Sequence, residues 1–193
     1  FDSSKGVFIK DLNGKKYLDM SYMGVGTNIL GYNNKHVDAL VKKTIQKGNL
    51  TTLNCPEEVL LSEKLIELHP WADKVRLFRT GGEASAAAIR IARAATGRSK
   101  IIASGYFGWQ DWYLAANLAN KTNLDKLLLP GLESLGVPKE LSGTTLTVLN
   151  GDKERLEDLF NENNDIAGVI VEVQRNRKPN LEFLKLARKL CDK

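Results

Sequence analysis

Two adjoining glycines, Gly81 and Gly82, followed by Glu83 and an alanine-rich run, are the residues of this chain whose types and spacing point to chemistry. A helix opening at Gly82 or Glu83 leaves its first backbone N–H groups without intrahelical partners, and its dipole adds partial positive charge there. Glycines offer no side chain to keep an anion away, so a phosphate ester can approach those groups closely. The alternative is a plain strand-to-helix turn that packs through its alanines and binds nothing, since short glycine motifs often match by chance. The dinucleotide fingerprint Gly-x-Gly-x-x-Gly is not matched, and no Gly-Lys-Ser/Thr follows as in nucleotide hydrolases.

The turn needs a strand before it and a helix after it. Lys74 to Phe78 alternate with strand period, and Ala84, Ala87, Ala88, Ile91 and Ala95 recur at helical spacing. Upstream, 7–9 and 16–18 flank Asn13-Gly14, a hairpin signal. A glycine-rich segment follows, then a helix over 36–47 with Val37, Leu40, Val41 and Ile45 as its apolar stripe, and another from Asn54-Cys55-Pro56 to Leu68. Downstream the pattern predicts strand 74–79, helix 83–95, strand 100–104, a Trp-rich helical stretch at 109–118, strand 144–149, helix 153–161, strand 166–172 and helix 181–192. That β-α-β rhythm implies a mostly parallel, doubly wound α/β sheet with helices on both faces. The long connection over 120–143 reads as functional or mobile. Residues 1–55 form a first region, and 56–193 the first part of a larger α/β domain.

With 193 residues, 42% of them hydrophobic, the chain is long enough to bury a core. No run approaches a membrane-spanning length and the start lacks a secretory pattern, so a cytoplasmic origin is expected. Cys55 and Cys191 read as free thiols, and His36 and His69 lack partners at ligand spacing, so no metal is expected. The net charge of +5 is spread along solvated helix faces. The densest basic run, Arg175 to Lys178, has no interleaved aromatics and gives no nucleic-acid signature.

Several blocks in order carry a resemblance: Gly6 to Asp11 with Tyr17-Leu18-Asp19, Gly31-Tyr32, Val75 to Ala84, Arg90 to Arg98, and Gly105 to Tyr113. Leu129-Pro130-Gly131, Gly136-Val137-Pro138 and Val169 to Val173 complete it. The chain resembles the class III pyridoxal-phosphate-dependent aminotransferases, most closely the N-terminal half of the glutamate-1-semialdehyde 2,1-aminomutase branch. The resemblance implies a fold-type I architecture, incomplete in this fragment, with pyridoxal 5'-phosphate as cofactor and a small-molecule amino donor and acceptor as substrates. It implies a homodimer and neither a nucleic-acid nor a membrane partner. It assigns the cofactor phosphate to backbone N–H groups of Gly81 and Gly82, with Glu83 and Ala84 as further candidates. Tyr106 becomes the ring-covering aromatic and Glu172 a carboxylate near the cofactor's polar side. Core packing for Tyr106 and a surface ion pair for Glu172 are the alternatives. Gly24, Gly26 and Thr27 fall near the substrate entrance by the same resemblance.

Three positions depart from the family pattern. Gly82 stands where Ser or Thr supplies a hydroxyl, Phe107 where histidine is usual, and Val173 where proline follows the glutamate. No catalytic residue is assigned in this chain: the resemblance places the Schiff-base lysine and the aspartate that partners the pyridine nitrogen beyond Lys193. The expected parent is an aminotransferase or aminomutase, with this fragment inactive alone. The rival expectation is a non-catalytic relative serving as a binding or assembly domain.

Overall fold

The computed structural model describes residues 1–48, 51–127, 130–175 and 178–193. Leu129 of the Leu-Pro-Gly block and Asn176-Arg177 of the basic run lie outside them. The chain divides into two compact units, Phe1–Val75 and Arg76–Lys193. The division falls later than residue 55 and groups the second helix with the first unit.

The first unit opens with an antiparallel three-stranded sheet, β1 (Ser3–Lys5), β2 (Phe8–Lys10) and β3 (Lys16–Leu18), in which Phe8 faces Leu18 and Ile9 faces Tyr17. The hairpin forms where Asn-Gly predicts it. Gly14 takes a positive φ of 85°, and the Asp11 carboxylate accepts from the N–H groups of Asn13 and Lys15 and from the Tyr17 hydroxyl. Helices α1 (Lys35–Gln46) and α2 (Pro56–Leu68) follow. Asn34 caps α1 through its side chain, whereas α2 starts from Cys55 with Pro56 in its first turn, not from Asn54. None of the described residues of this unit is buried, and the α1 stripe of Val37, Leu40, Val41 and Ile45 stays exposed.

The second unit holds the core. Helix α3 (Gly81–Thr96) leads into β4 (Lys100–Ser104), two short helices α4 (Asp111–Leu114) and α5 (Ala116–Ala119), β5 (Thr145–Thr147), α6 (Lys153–Glu162), β6 (Ile166–Val171) and α7 (Leu181–Cys191). β4 is central, with β5 and β6 parallel on either side. Its side chains alternate between faces, as a strand requires. Ile101 and Ala103 pack with Ile89, Trp112, Tyr113, Ala116 and Leu124, while Ile102 packs with Leu156, Leu159, Phe183 and Ala187 on the other side. Helices therefore cover both faces, the doubly wound arrangement the sequence rhythm implies.

Three expectations change. Residues 74–79 join no strand ladder among the described residues, because alternation supplies side-chain facing but not a hydrogen-bonded neighbour. α3 begins at Gly81 with Thr80 as its N-cap, and it buries Ile89 flanked by Ala86 and Ala92 rather than the predicted stripe, whose Ile91 is 65% exposed. An alanine-rich helix is apolar on more than one face, so spacing alone does not choose between them. The long connection is also built into the fold: Leu124 is fully buried, and the buried Asn117 accepts from its N–H while donating to the Leu132 carbonyl.

Thr80 and Glu83 form a reciprocal capping box, the Thr80 hydroxyl accepting from Glu83 N–H and the Glu83 carboxylate accepting from the N–H groups of Thr80 and Arg79. Replacing Thr80 with Ala is expected to lower stability by about 1 kcal/mol, with Thr80→Ser close to wild type, read as shifts of the urea midpoint.

Candidate functional site

The capping box decides which backbone groups at the start of α3 remain available. Glu83 N–H is taken by Thr80 Oγ1 and Ala84 N–H by the Thr80 carbonyl, so only Gly81 and Gly82 keep N–H groups without a partner among the described residues. Glu83 and Ala84 therefore offer no free backbone donor. The Glu83 side chain turns back along the chain instead of forward to a ligand. Two aligned N–H groups at the positive end of a 16-residue helix still suit an anion.

The loop after β4 links this turn to the carboxyl ends of the strands. Gly105 has φ 130°, and a Cβ added there would overlap the Glu172 side chain. Such a backbone conformation favours glycine. Glu172 N–H continues the β4–β6 ladder to the Ser104 carbonyl at 2.8 Å. Its carboxylate accepts from Tyr106 N–H at 3.4 Å and pairs with Arg175 Nε at 2.5 Å. Gly105, Glu172 and Arg175 border a cavity of about 350 Å³ together with Ser104, Asn150 and Lys178. Ligands of open α/β sheets occupy this place, outside the carboxyl ends of the strands. The Ser104 hydroxyl is buried there with no hydrogen-bond partner among the described residues.

Tyr106 is half-buried and meets Tyr113 edge-on at 5.9 Å between ring centroids. Phe107 packs with Trp112 and Tyr113 in the core. The Tyr113 hydroxyl donates to the Gly105 carbonyl at 2.8 Å, and burial, then the neighbouring Tyr106 and Glu172, push its pKa well above the usual 10. At its far end the loop reaches Gly108, with φ 103°, and Gln110, whose carboxamide lies over Gly82. Tyr106 and Glu172 are thus brought together directly, and the loop 105–110 carries the connection on to Gly82. Gly24, Gly26 and Thr27 lie in the first unit, where Thr27 Oγ1 donates to the Gly24 carbonyl at 2.6 Å.

The aminotransferase class-III family model matches residues 1–193. The chain belongs to the class III aminotransferases. It is 36% identical to the glutamate-1-semialdehyde 2,1-aminomutase of Clostridium botulinum over 98% of its own length and 45% of that protein. A solved transaminase with PLP bound superposes with a TM-score of 0.84 at 24% identity, covering 98% of this chain and 45% of the other. The PLP-bearing FumI protein of Sphingopyxis sp. MTA144 gives 0.82 at 25%, covering 100% and 44%. The chain thus spans less than half the length of these relatives.

Pyridoxal phosphate is the cofactor of class III aminotransferases, and the residues present fit it. The turn supplies open N–H groups, and buried polar atoms of Ser104 and Gln110 lack partners among the described residues. No group of three or more potential metal ligands occurs among the described residues, and both cysteines are free. Sequence reasoning missed Ser104, Gln110 and Arg175: a Ser ending a buried strand, a Gln before a short helix and an Arg in a basic run carry no spacing signal.

Two tests follow from this geometry. Gly105→Ala combines positive φ with overlap of Glu172 and is expected to destabilise by about 1–3 kcal/mol in chemical denaturation. Tyr113 keeps its proton in the folded state to higher pH than in the unfolded chain. Its contribution is therefore full below the usual tyrosine value and is lost as pH rises above 10. Unfolding free energy should fall with pH above that value, and Tyr113→Phe should reduce the slope by up to one proton, about 1.4 kcal/mol per pH unit.

Proposed function

We propose that these residues are part of a longer pyridoxal-phosphate enzyme that transfers an amino group, or moves one between adjacent carbons, on a small amino-acid-like substrate. One juxtaposition supports the reading most: the loop 105–110 sets Gln110 against the open start of α3 and Gly105 against Glu172 at the strand-end cavity. Groups suited to a phosphate and groups suited to a ring and its polar edge thereby share one loop.

Bound pyridoxal phosphate supplies an electron sink for the carbon that carries the amino group. In this reading the N–H groups of Gly81 and Gly82 hold its phosphate. The Tyr106 ring covers a flat face and excludes water. Glu172, fixed by Arg175 and Tyr106 N–H, keeps a carboxylate beside the polar edge. The capping box of Glu83 holds the turn rigid. The lysine that bonds the cofactor and the aspartate that keeps the pyridine nitrogen protonated are placed after Lys193, so residues 1–193 bind without turning over. A homodimer, a cytoplasmic setting and small-molecule amino donors and acceptors belong to the same proposal.

The test uses the longer protein. Incubation with pyridoxal phosphate followed by borohydride should fix the cofactor to a lysine outside residues 1–193, and an amino donor should convert the bound cofactor to its amine form. Uptake without conversion by any of a broad panel of amino acids would favour a non-catalytic relative, and trapping on a lysine within 1–193 would contradict the assignment.

A further inference from the structure

The strand-end cavity holds a buried donor that the fold leaves unused. Ser104 is fully buried, and its hydroxyl has no hydrogen-bond partner among the described residues. Buried polar atoms are nearly always paired, and one that is not calls for an explanation. The backbone of Ser104 is committed, its carbonyl accepting from Glu172 N–H. Side chains two residues apart on a strand share a face. Ser104 thus follows Ile102 onto the α7 side of β4, where Phe183 and Ala187 pack and where Asn180, the cap of α7, borders the cavity. Neither that apolar packing nor the cap, which Asn180 makes with its own Oδ1, uses the hydroxyl.

The charges around the cavity say what would use it. Arg175 and Lys178 border it with Glu172 as the one carboxylate, which leaves one positive charge uncompensated. Arg175 donates to Glu172 through Nε, and neither its Nη groups nor Lys178 Nζ has a partner among the described residues. These groups and the Ser104 hydroxyl can all donate. A carboxylate accepts only, carries a single negative charge and matches guanidinium N–H groups in geometry. Leu149 and Val173 line the same cavity and suit a short carbon chain, and its volume of about 350 Å³ accommodates a small organic acid. We propose that this cavity binds the carboxylate of a small organic acid, with Arg175 and Ser104 donating to it and Lys178 supplying the balancing charge. Arg175 then bridges two carboxylates, Glu172 at Nε and the ligand at Nη. Naming the acid as the substrate, so that amino acids are preferred to simple amines, rests on the function proposed above.

The experiment measures equilibrium binding of butyrate and of its neutral isostere butyramide to the longer protein by calorimetry, with and without pyridoxal phosphate and with inorganic phosphate as a competitor. Butyrate is expected to bind at least about tenfold more tightly than butyramide. Phosphate should displace butyrate only in excess, since the cavity does not balance its second charge. Arg175→Ala is expected to weaken butyrate by about tenfold or more and to leave butyramide within about twofold. Ser104→Ala removes a hydroxyl that the fold does not use, so the urea midpoint should hold or rise while butyrate weakens by about three- to tenfold. A merely structural hydroxyl would give the opposite pattern, and this variant decides the matter if Arg175→Ala does not fold. Equal binding of butyrate and butyramide, displacement of butyrate by equimolar phosphate, or unchanged butyrate affinity in Ser104→Ala would overturn the carboxylate site while leaving the proposed function standing. Butyrate binding by a protein that takes up no pyridoxal phosphate would leave the site standing and overturn the function.

Discussion

The site depends on one close approach, that of the Glu172 side chain across the Cα of Gly105. β4 and β6 are hydrogen-bonded up to Ser104 and Val171, and Glu172 N–H extends the ladder one step past the strand. Its side chain must then pass the point where β4 ends, and only a residue without Cβ leaves room. The positive φ that glycine permits turns the chain away from the sheet and aims Tyr106 N–H at the Glu172 carboxylate. Tyr113 locks the turn from below by donating to the Gly105 carbonyl. A carboxylate, an aromatic ring and a loop bound for the glycine turn are positioned by the same contact.

Around this contact the second unit is organised as a scaffold. β4 is buried on both faces, which makes its carboxyl end the best-anchored point from which to hang a loop. The loop then reaches a helix start whose capping box spends three backbone N–H groups, those of Arg79, Thr80 and Glu83, and leaves the two glycines open. Rigid elements thus present a small set of uncommitted donors, an arrangement suited to an anion. The first unit differs. Its hairpin and helices are well formed, with α1 capped by Asn34, yet bury none of their described residues.

Much of this was legible in the sequence, and the exceptions share a cause. The alternation of strands and helices, the Asn-Gly hairpin and the glycine turn are local signals, and the elements they predict form. The strand before the turn was misread because pairing is a property of a neighbour, not of Lys74 to Phe78 themselves. The buried face of α3 was misread because alanines on several sides blur the period, and Ile89, the residue that enters the core, was outside the chosen stripe. Glu83 looked like a backbone donor until its reciprocal bond with Thr80 appeared. Glu172 pairs with Arg175 and also lines the strand-end cavity. Gln110 was invisible because its position depends on Gly82, 28 residues earlier, and Gly108 leaving space for one amide.

The central claim is that the turn at Gly81 and Gly82 is the seat of the pyridoxal phosphate handle. A crystal structure of the longer protein soaked with the cofactor tests it most directly. The account predicts phosphate oxygens within hydrogen-bond distance of the N–H groups of Gly81 and Gly82, with the ring beside Tyr106 and Glu172. A phosphate bound elsewhere, with those two N–H groups facing water, would contradict it.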